Sequence, residues 1–208
     1  MISIALLGAG RIGQIHGRTI AASRRARLAG IADPVPDGAT ALAVATGASV
    51  RTAEELIADK AIDAVLIATP TATHADFIDK AAAAGKAVLC EKPVDMNSGR
   101  IRETLARVEK AGIKLMIGFN RRFDPNFAAL QKRLAEGAAG NVELVTILSR
   151  DPAPPPVSYI ESSGGLFRDM MIHDFDMARF LLGEEPVEVF AVGSALVDPA
   201  IGKAGSLW

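Results

Sequence analysis

Three groups of residues in this chain have the types and spacing to do chemistry. The first is Gly8-Ala-Gly10-Arg11-Ile12-Gly13, set between a short apolar run and a helical pattern. In that setting the first glycine permits a tight turn and the second lets backbone approach a pyrophosphate. The third lets the helix pack closely on the strand. A helix N-terminus placed there offers unbonded N–H groups and partial positive charge to phosphate. Twenty residues after Gly13, at the end of the second apolar run, stands Asp33. A carboxylate in that place accepts hydrogen bonds from both ribose hydroxyls of NAD. It repels a 2′-phosphate, so NAD is expected in preference to NADP.

The second group is Glu91-Lys92-Pro93, with Ala68-Thr69-Pro70 as a similar tripeptide; each follows a predicted strand. Ligands of open α/β sheets bind outside the carboxyl ends of the strands. A proline just after a strand turns the chain out of the sheet and fixes the loop. That arrangement holds Lys92 over a nicotinamide, where a lysine donates to a substrate hydroxyl and stabilises alkoxide charge. A solvated lysine beside a turn proline reads the same way. Thr69 and His74 are equally open, and His74 also reads as an ordinary first-turn helix residue. The third group is Asp169-x-x-x-His173, four apart on a predicted helix and so on one face. Histidine titrates near neutrality and takes a hydroxyl proton readily. A surface ion pair is the plain alternative. A metal site from Asp169, His173 and Asp176 lacks a cysteine or second histidine, so none is expected.

Elements that alternate between two periods must position these residues. Ile2–Leu7, Leu28–Ala32, Ala64–Ala68, Ala87–Cys90 and Leu115–Ile117 are apolar runs typical of strands buried on both faces. Between them lie helical stretches at Ile12–Ala22, Asp37–Thr46, Thr52–Ala58, His74–Ala84 and Ser98–Ala111. Thr52 and Glu55 form a capping-box pattern. Ile101, Leu105 and Val108 are expected on the inner face of Ser98–Ala111. This alternation predicts a doubly wound parallel α/β sheet over residues 1–118. Residues 119–208 read as a second, α+β region. Asp124-Pro125 starts a helix through about Glu136. A strand is expected at Asn141–Ser149, a loop at Asp151–Val157, a helix at Phe167–Leu182 and a strand at Val187–Val197. Gly202–Trp208 shows no clear element.

The 208 residues are 50% hydrophobic with net charge −1. No basic field invites nucleic acid or an anionic membrane, and no apolar run is long enough to span a bilayer. No signal peptide is read before Ile2–Leu7. Cys90 stands alone, so no internal disulfide forms, and a cytoplasmic setting is expected.

The motifs together resemble the Gfo/Idh/MocA oxidoreductases, and within them the bacterial inositol 2-dehydrogenases. The resemblance rests on GAGRIG at 8–13, IADP at 31–34, ATPTATH at 68–74, CEKP at 90–93, GFNRRFDPNF at 118–127 and GGLFRDMMIHDFDMARFLLG at 164–183. It implies a Rossmann domain followed by an open-sheet domain, and NAD as cofactor. It implies oxidation of a secondary hydroxyl of myo-inositol to the ketone, with scyllo-inositol or glucose as alternative substrates. Lys92, Asp169 and His173 match the family's catalytic set, and Asn120 and Arg121 its polyol-contacting loop. Gly10, Arg11 and Ile12 match the pyrophosphate turn, and Asp33 the ribose carboxylate. Thr69, Pro70, His74 and Glu91 match the nicotinamide side. The family's full-length form is a homo-oligomer.

The family's second domain is longer than residues 119–208, and its sheet has more strands. A truncated or frameshifted product is therefore expected, with an unpaired sheet edge and uncovered apolar surface. An NAD-binding remnant without catalysis is the corresponding alternative.

Overall fold

The apolar runs of the first half line up as six parallel strands in the order β3-β2-β1-β4-β5-β6. The computed structural model describes residues 1–204 and divides into two units, Met1–Gly118 and Phe119–Trp208. The first unit runs β1 (Ile2–Leu7), α1 (Arg11–Ala21), β2 (Ala26–Ala32), α2 (Pro36–Thr46), β3 (Ser49–Val50) and α3 (Ala53–Ala58). It continues with β4 (Ala64–Ile67), α4 (His74–Ala83), β5 (Ala87–Cys90), α5 (Ser98–Ala111) and β6 (Leu115–Ile117). The two-residue β3 is too short to show a period in sequence.

Both faces of the sheet are covered, which is why its strands read as unbroken apolar runs. On one face Ala5 and Leu7 of β1 and Val65 and Ile67 of β4 pack with Leu56, Ile78 and Val108. On the other, Leu6 and Leu66 pack with Ile20, Ala39 and Leu42. Full burial of such side chains stabilises by about 1.5–3 kcal/mol each.

The helix ends follow their local chemistry. Thr52 Oγ1 accepts from the Glu55 N–H, and the Glu55 carboxylate accepts from the Thr52 N–H at 2.9 Å, completing the capping box before α3. Asn97 caps α5, which ends on Gly112 in the left-handed conformation. One expectation is corrected on α5. Leu105 is 44% exposed, whereas Thr104 is fully buried. The inner face runs Ile101, Thr104, Val108, and the Thr104 hydroxyl accepts from Arg100.

The second unit contains α6 (Pro125–Ala135), α7 (Val157–Ser163), α8 (Gly165–Asp169), α9 (Ile172–Leu182) and α10 (Pro199–Lys203). Asp124 caps α6 through the Asn126 and Phe127 N–H groups. Two expected strands are corrected. Residues 141–149 and 187–197 have no strand structure. A strand exists only by pairing, and among the described residues neither segment has a ladder partner. Most of their large apolar side chains are exposed, with Leu144 84% and Phe190 88% exposed. The expected helix Phe167–Leu182 is also corrected, because it is two helices. The Met171 N–H bonds back five residues to the Leu166 carbonyl and the His173 N–H only three, to Met170. The i→i+4 ladder is broken there, so Asp169 closes α8 and His173 lies in the first turn of α9. They do not share the face of one helix. Residues 202 and 203 belong to α10; the rest of the featureless stretch, 205–208, lies outside the described residues.

Candidate dinucleotide site and candidate catalytic residues

Parallel strands put their carboxyl ends on one edge, and the order in which successive strands are added reverses between β1 and β4. That is where open α/β sheets bind ligands. Gly8, just after β1, has φ +95°, and a Cβ there would lie 2.5 Å from the Ala68 carbonyl oxygen. A Cβ on Gly13 would lie far inside contact of the Gly8 carbonyl. The protein's own packing therefore requires both glycines. Gly10 is different, since a Cβ there meets nothing within 4 Å. The space over Gly10 is open to a ligand. α1 begins there with no side-chain cap, and Gln14 is the first N–H to bond back, to the Gly10 carbonyl. The N–H groups of Arg11, Ile12 and Gly13 thus have no intrahelical acceptor.

Asp33 sits beside this turn at the end of β2. Its carboxylate accepts from the Ala9 N–H at 2.6 Å and the Val35 N–H at 2.8 Å. Each oxygen keeps acceptor capacity for a ribose hydroxyl. The turn, the uncapped helix end and this carboxylate fit a dinucleotide.

Three further segments leave the same edge. Thr69 follows β4, and its hydroxyl accepts from Thr73 Oγ1 at 2.7 Å; Pro70 is exposed. His74 is only 1% exposed. Its Nδ1 lies 2.7 Å from the Pro93 carbonyl oxygen and its Nε2 2.8 Å from that of Thr69. The expectation that His74 lines the nicotinamide side is therefore corrected, since both its nitrogens face the chain's own carbonyls. Lys92 is partly buried after β5, and the peptide to Pro93 is cis. The Glu91 carboxylate lies 2.7 Å from His16 Nε2. Burial pushes this carboxyl up. The hydrogen bond and charge of His16, with the N–H and charge of Lys92, outweigh that and hold it below its ordinary value. This stabilisation is present at neutral pH and is lost as pH falls through the lowered value.

Cys90 is fully buried at the end of β5, and burial with the Glu91 charge pushes its thiol well up. The thiolate is the reactive form. Native protein is expected to resist iodoacetamide at mildly alkaline pH and to react fully once unfolded. Alkylation of native protein at the rate of denatured protein, read by mass spectrometry, would contradict this burial.

In the second unit, Asn120 and Arg121 lie in a 3-10 turn, Asn120–Phe123. Arg121 is tied to Asp174, which also accepts from Ser149 Oγ at 2.6 Å. The adjacent Arg122 holds Asp176 with two bonds, of 2.8 and 2.6 Å. Asp176 is 4% exposed, so this fork replaces the water it has lost. The two pairs tie the start of α9, at Asp174 and Asp176 just after His173, to the 3-10 turn. The His173 ring meets Phe119 edge-on at 6.4 Å. Asp169 accepts from the Tyr159 hydroxyl at 3.1 Å. Asp176 is committed to Arg122, and among the described residues no group of three His, Cys, Asp or Glu could hold a metal. Among those residues no helix is long and apolar enough to cross a membrane.

The first unit thus gathers Gly8, Gly10, Arg11, Ile12, Gly13, Asp33, Thr69, Pro70, Glu91 and Lys92 on one sheet edge. The second carries Asn120, Arg121, Asp169 and His173 on its helices and 3-10 turn. His16, Tyr159, Arg122 and Asp176 were not singled out for these contacts from sequence. The partner of His16 is 75 residues away, and that of Arg122 is 54 away.

Residues 2–119 match the family model described as "Oxidoreductase family, NAD-binding Rossmann fold". Residues 127–205 match that of the "GFO/IDH/MocA C-terminal domain". An inositol 2-dehydrogenase of Rhizobium meliloti is 55% identical over 204 residues, which are 98% of this chain and 62% of that protein. A crystal structure of a myo-inositol dehydrogenase from Corynebacterium glutamicum superposes with TM-score 0.94 at 45% identity, over 100% of this chain and 62% of that one. A scyllo-inositol dehydrogenase from Lactobacillus casei, solved with NAD(H) and scyllo-inositol, gives TM-score 0.89 at 32% identity, over 100% and 64%. The chain therefore spans somewhat under two thirds of the length of these relatives.

Proposed function

Because the chain belongs to the Gfo/Idh/MocA oxidoreductase family, we propose that it binds NAD(H) and oxidises a secondary hydroxyl of an inositol, myo-inositol first, to the ketone. The observation that carries this reading is the likeness to the Rhizobium meliloti inositol 2-dehydrogenase over nearly the whole chain. The open space over Gly10 supports it from the geometry.

NAD, when bound, supplies the carbon that accepts the hydride. The chain supplies the rest. Gly10, Arg11, Ile12 and Gly13 hold the pyrophosphate through backbone N–H groups, and Asp33 holds the adenosine ribose. His173 takes the hydroxyl proton, with Asp169 orienting its ring. The Lys92 ammonium donates to the same oxygen and stabilises its developing negative charge, a task that a metal performs in other dehydrogenases. Asn120 and Arg121 contact the polyol.

Titrating NADH by its fluorescence, then assaying NAD reduction with myo-inositol, scyllo-inositol and glucose, tests the reading. Binding with turnover on myo-inositol supports it. Turnover only on another polyol reassigns the substrate, and failure to bind NADH rejects the reading. The rival reading is dinucleotide binding without turnover, and the same assay separates it.

Asp33 should set the cofactor choice. Asp33→Asn keeps an acceptor for the Ala9 N–H but removes the charge that repels a 2′-phosphate. The preference for NADH over NADPH is expected to fall by about tenfold or more. Unchanged dissociation constants for both cofactors would remove Asp33 from this role.

A further inference from the structure

Lys92 is bracketed by two histidines that the reaction above leaves without a task. His16 lies in α1, and its Nε2 is 2.7 Å from the carboxylate of Glu91, the residue before Lys92. His74 opens α4, and its Nδ1 is 2.7 Å from the carbonyl of Pro93, the residue after Lys92. Its other nitrogen faces the Thr69 carbonyl at 2.8 Å.

Each contact is confined. The Glu91 carboxylate lies against Gly118, where a Cβ would come within 3.0 Å of Oε2. The Glu91 N–H donates to the Ile67 carbonyl at 2.9 Å. The His74 ring is sealed from solvent, so packing fixes its orientation. Carbonyl oxygens only accept, so the ring N–H of His74 is directed at one of these two carbonyls. The backbone on both sides of Lys92 is thereby tied to β4, α1 and α4.

We propose that His16 and His74 are positioning residues for Lys92, holding the Glu91-Lys92-Pro93 loop from its two sides so that the ammonium is placed by the scaffold. The proposal rests on the reading of Lys92 as the group that stabilises alkoxide charge. Proper placement matters because a misplacement of about 1 Å costs on the order of a hundredfold in rate. A charge-stabilising group that drifts loses its effect in the transition state while substrate still binds.

The test compares His16→Ala, His16→Gln, His74→Gln and Lys92→Ala in the full chain. It uses three readouts. These are kcat and KM determined separately, the NADH dissociation constant, and the rate of reductive methylation of Lys92 by peptide mass spectrometry. The exposed Lys60 and Lys110 serve as internal standards for the third. In His16→Ala, kcat is expected to fall about tenfold, with KM and NADH affinity changed less than about twofold. His16→Gln keeps an N–H toward Glu91 and should recover most of that loss. Lys92 methylation should change about threefold in His16→Ala and His74→Gln, with the standards unmoved.

Unchanged kcat and unchanged Lys92 labelling in His16→Ala overturn the proposal. A melting temperature that falls while both stay at wild-type values gives these histidines a purely structural role and also overturns it. Should His74→Gln not fold, the two His16 variants decide. A wild-type chain without turnover defeats the functional reading, and Lys92 labelling alone then decides the positioning. If Lys92→Ala is inactive while the histidine variants are normal, the functional reading stands and the positioning fails.

Discussion

Replacing His173 or Lys92 by alanine is expected to lower kcat on myo-inositol by about a thousandfold, with the NADH dissociation constant held within about threefold. The two losses have different causes. Without His173 the hydroxyl proton loses its proposed acceptor, and positioned proton transfer contributes roughly a hundred- to ten-thousandfold. Without Lys92 the proton still has an acceptor, but the developing charge on oxygen loses its donor, an effect of roughly a hundred- to a thousandfold. Both act in the transition state, so kcat and kcat/KM should fall together. The fold should tolerate both changes. His173 meets Phe119 edge-on at the start of α9, while the ion pairs that pin that turn belong to Asp174 and Asp176. Lys92 stands in a loop whose backbone is held by its neighbours. Either variant keeping wild-type turnover, with circular dichroism confirming its fold, would remove that residue from the mechanism.

The parts of this molecule that were legible in sequence are those whose causes are local. Strands buried on both faces show as unbroken apolar runs, and the caps at Thr52 and Asp124 are set by residues within one turn. The glycine spacing at 8–13 is of the same kind. Three features lay beyond such reasoning. The break between α8 and α9 has no proline or glycine at Met170 and Met171 to mark it. The segment Val187–Val197 has a β-branched composition, but a strand also needs a partner edge, and composition does not say whether one is there. The pairs His16–Glu91, Arg121–Asp174 and Arg122–Asp176 join residues 75, 53 and 54 positions apart. Nothing in the sequence around either member of a pair points to the other, which only the fold brings near. For the same reason His74 was read as a ligand-facing residue, when its two partners are backbone carbonyls 5 and 19 residues away.

The three glycines of the turn should separate cleanly into those the fold needs and the one the ligand needs. Gly13→Ala is expected to destabilise the chain by about 3 kcal/mol, because its Cβ would be driven into the Gly8 carbonyl and backbone cannot step aside as a side chain tip can. A loss of that size lowers the melting temperature by roughly 10 °C or more. Gly8→Ala should behave alike, since it adds a left-handed φ to a contact with the Ala68 carbonyl. Gly10→Ala meets no atom of the protein, and its φ of −68° with extended ψ suits any residue. Its stability cost is that of exchanging glycine for alanine at a helix N-cap, under about 1 kcal/mol. The added methyl occupies the open space proposed for the pyrophosphate, so NADH affinity should fall by about tenfold or more, the loss that follows when a bound group is pushed off its backbone donors. Thermal melts without cofactor and NADH titrations of the three variants measure the two effects independently. A Gly10→Ala protein that melts early, or one that binds NADH as the wild type does, would mean that the open space over Gly10 is not where the dinucleotide sits. A Gly13→Ala protein of unchanged stability would mean that the β1–α1 turn can relax, and that the close approach of α1 to β1 is not fixed by that residue.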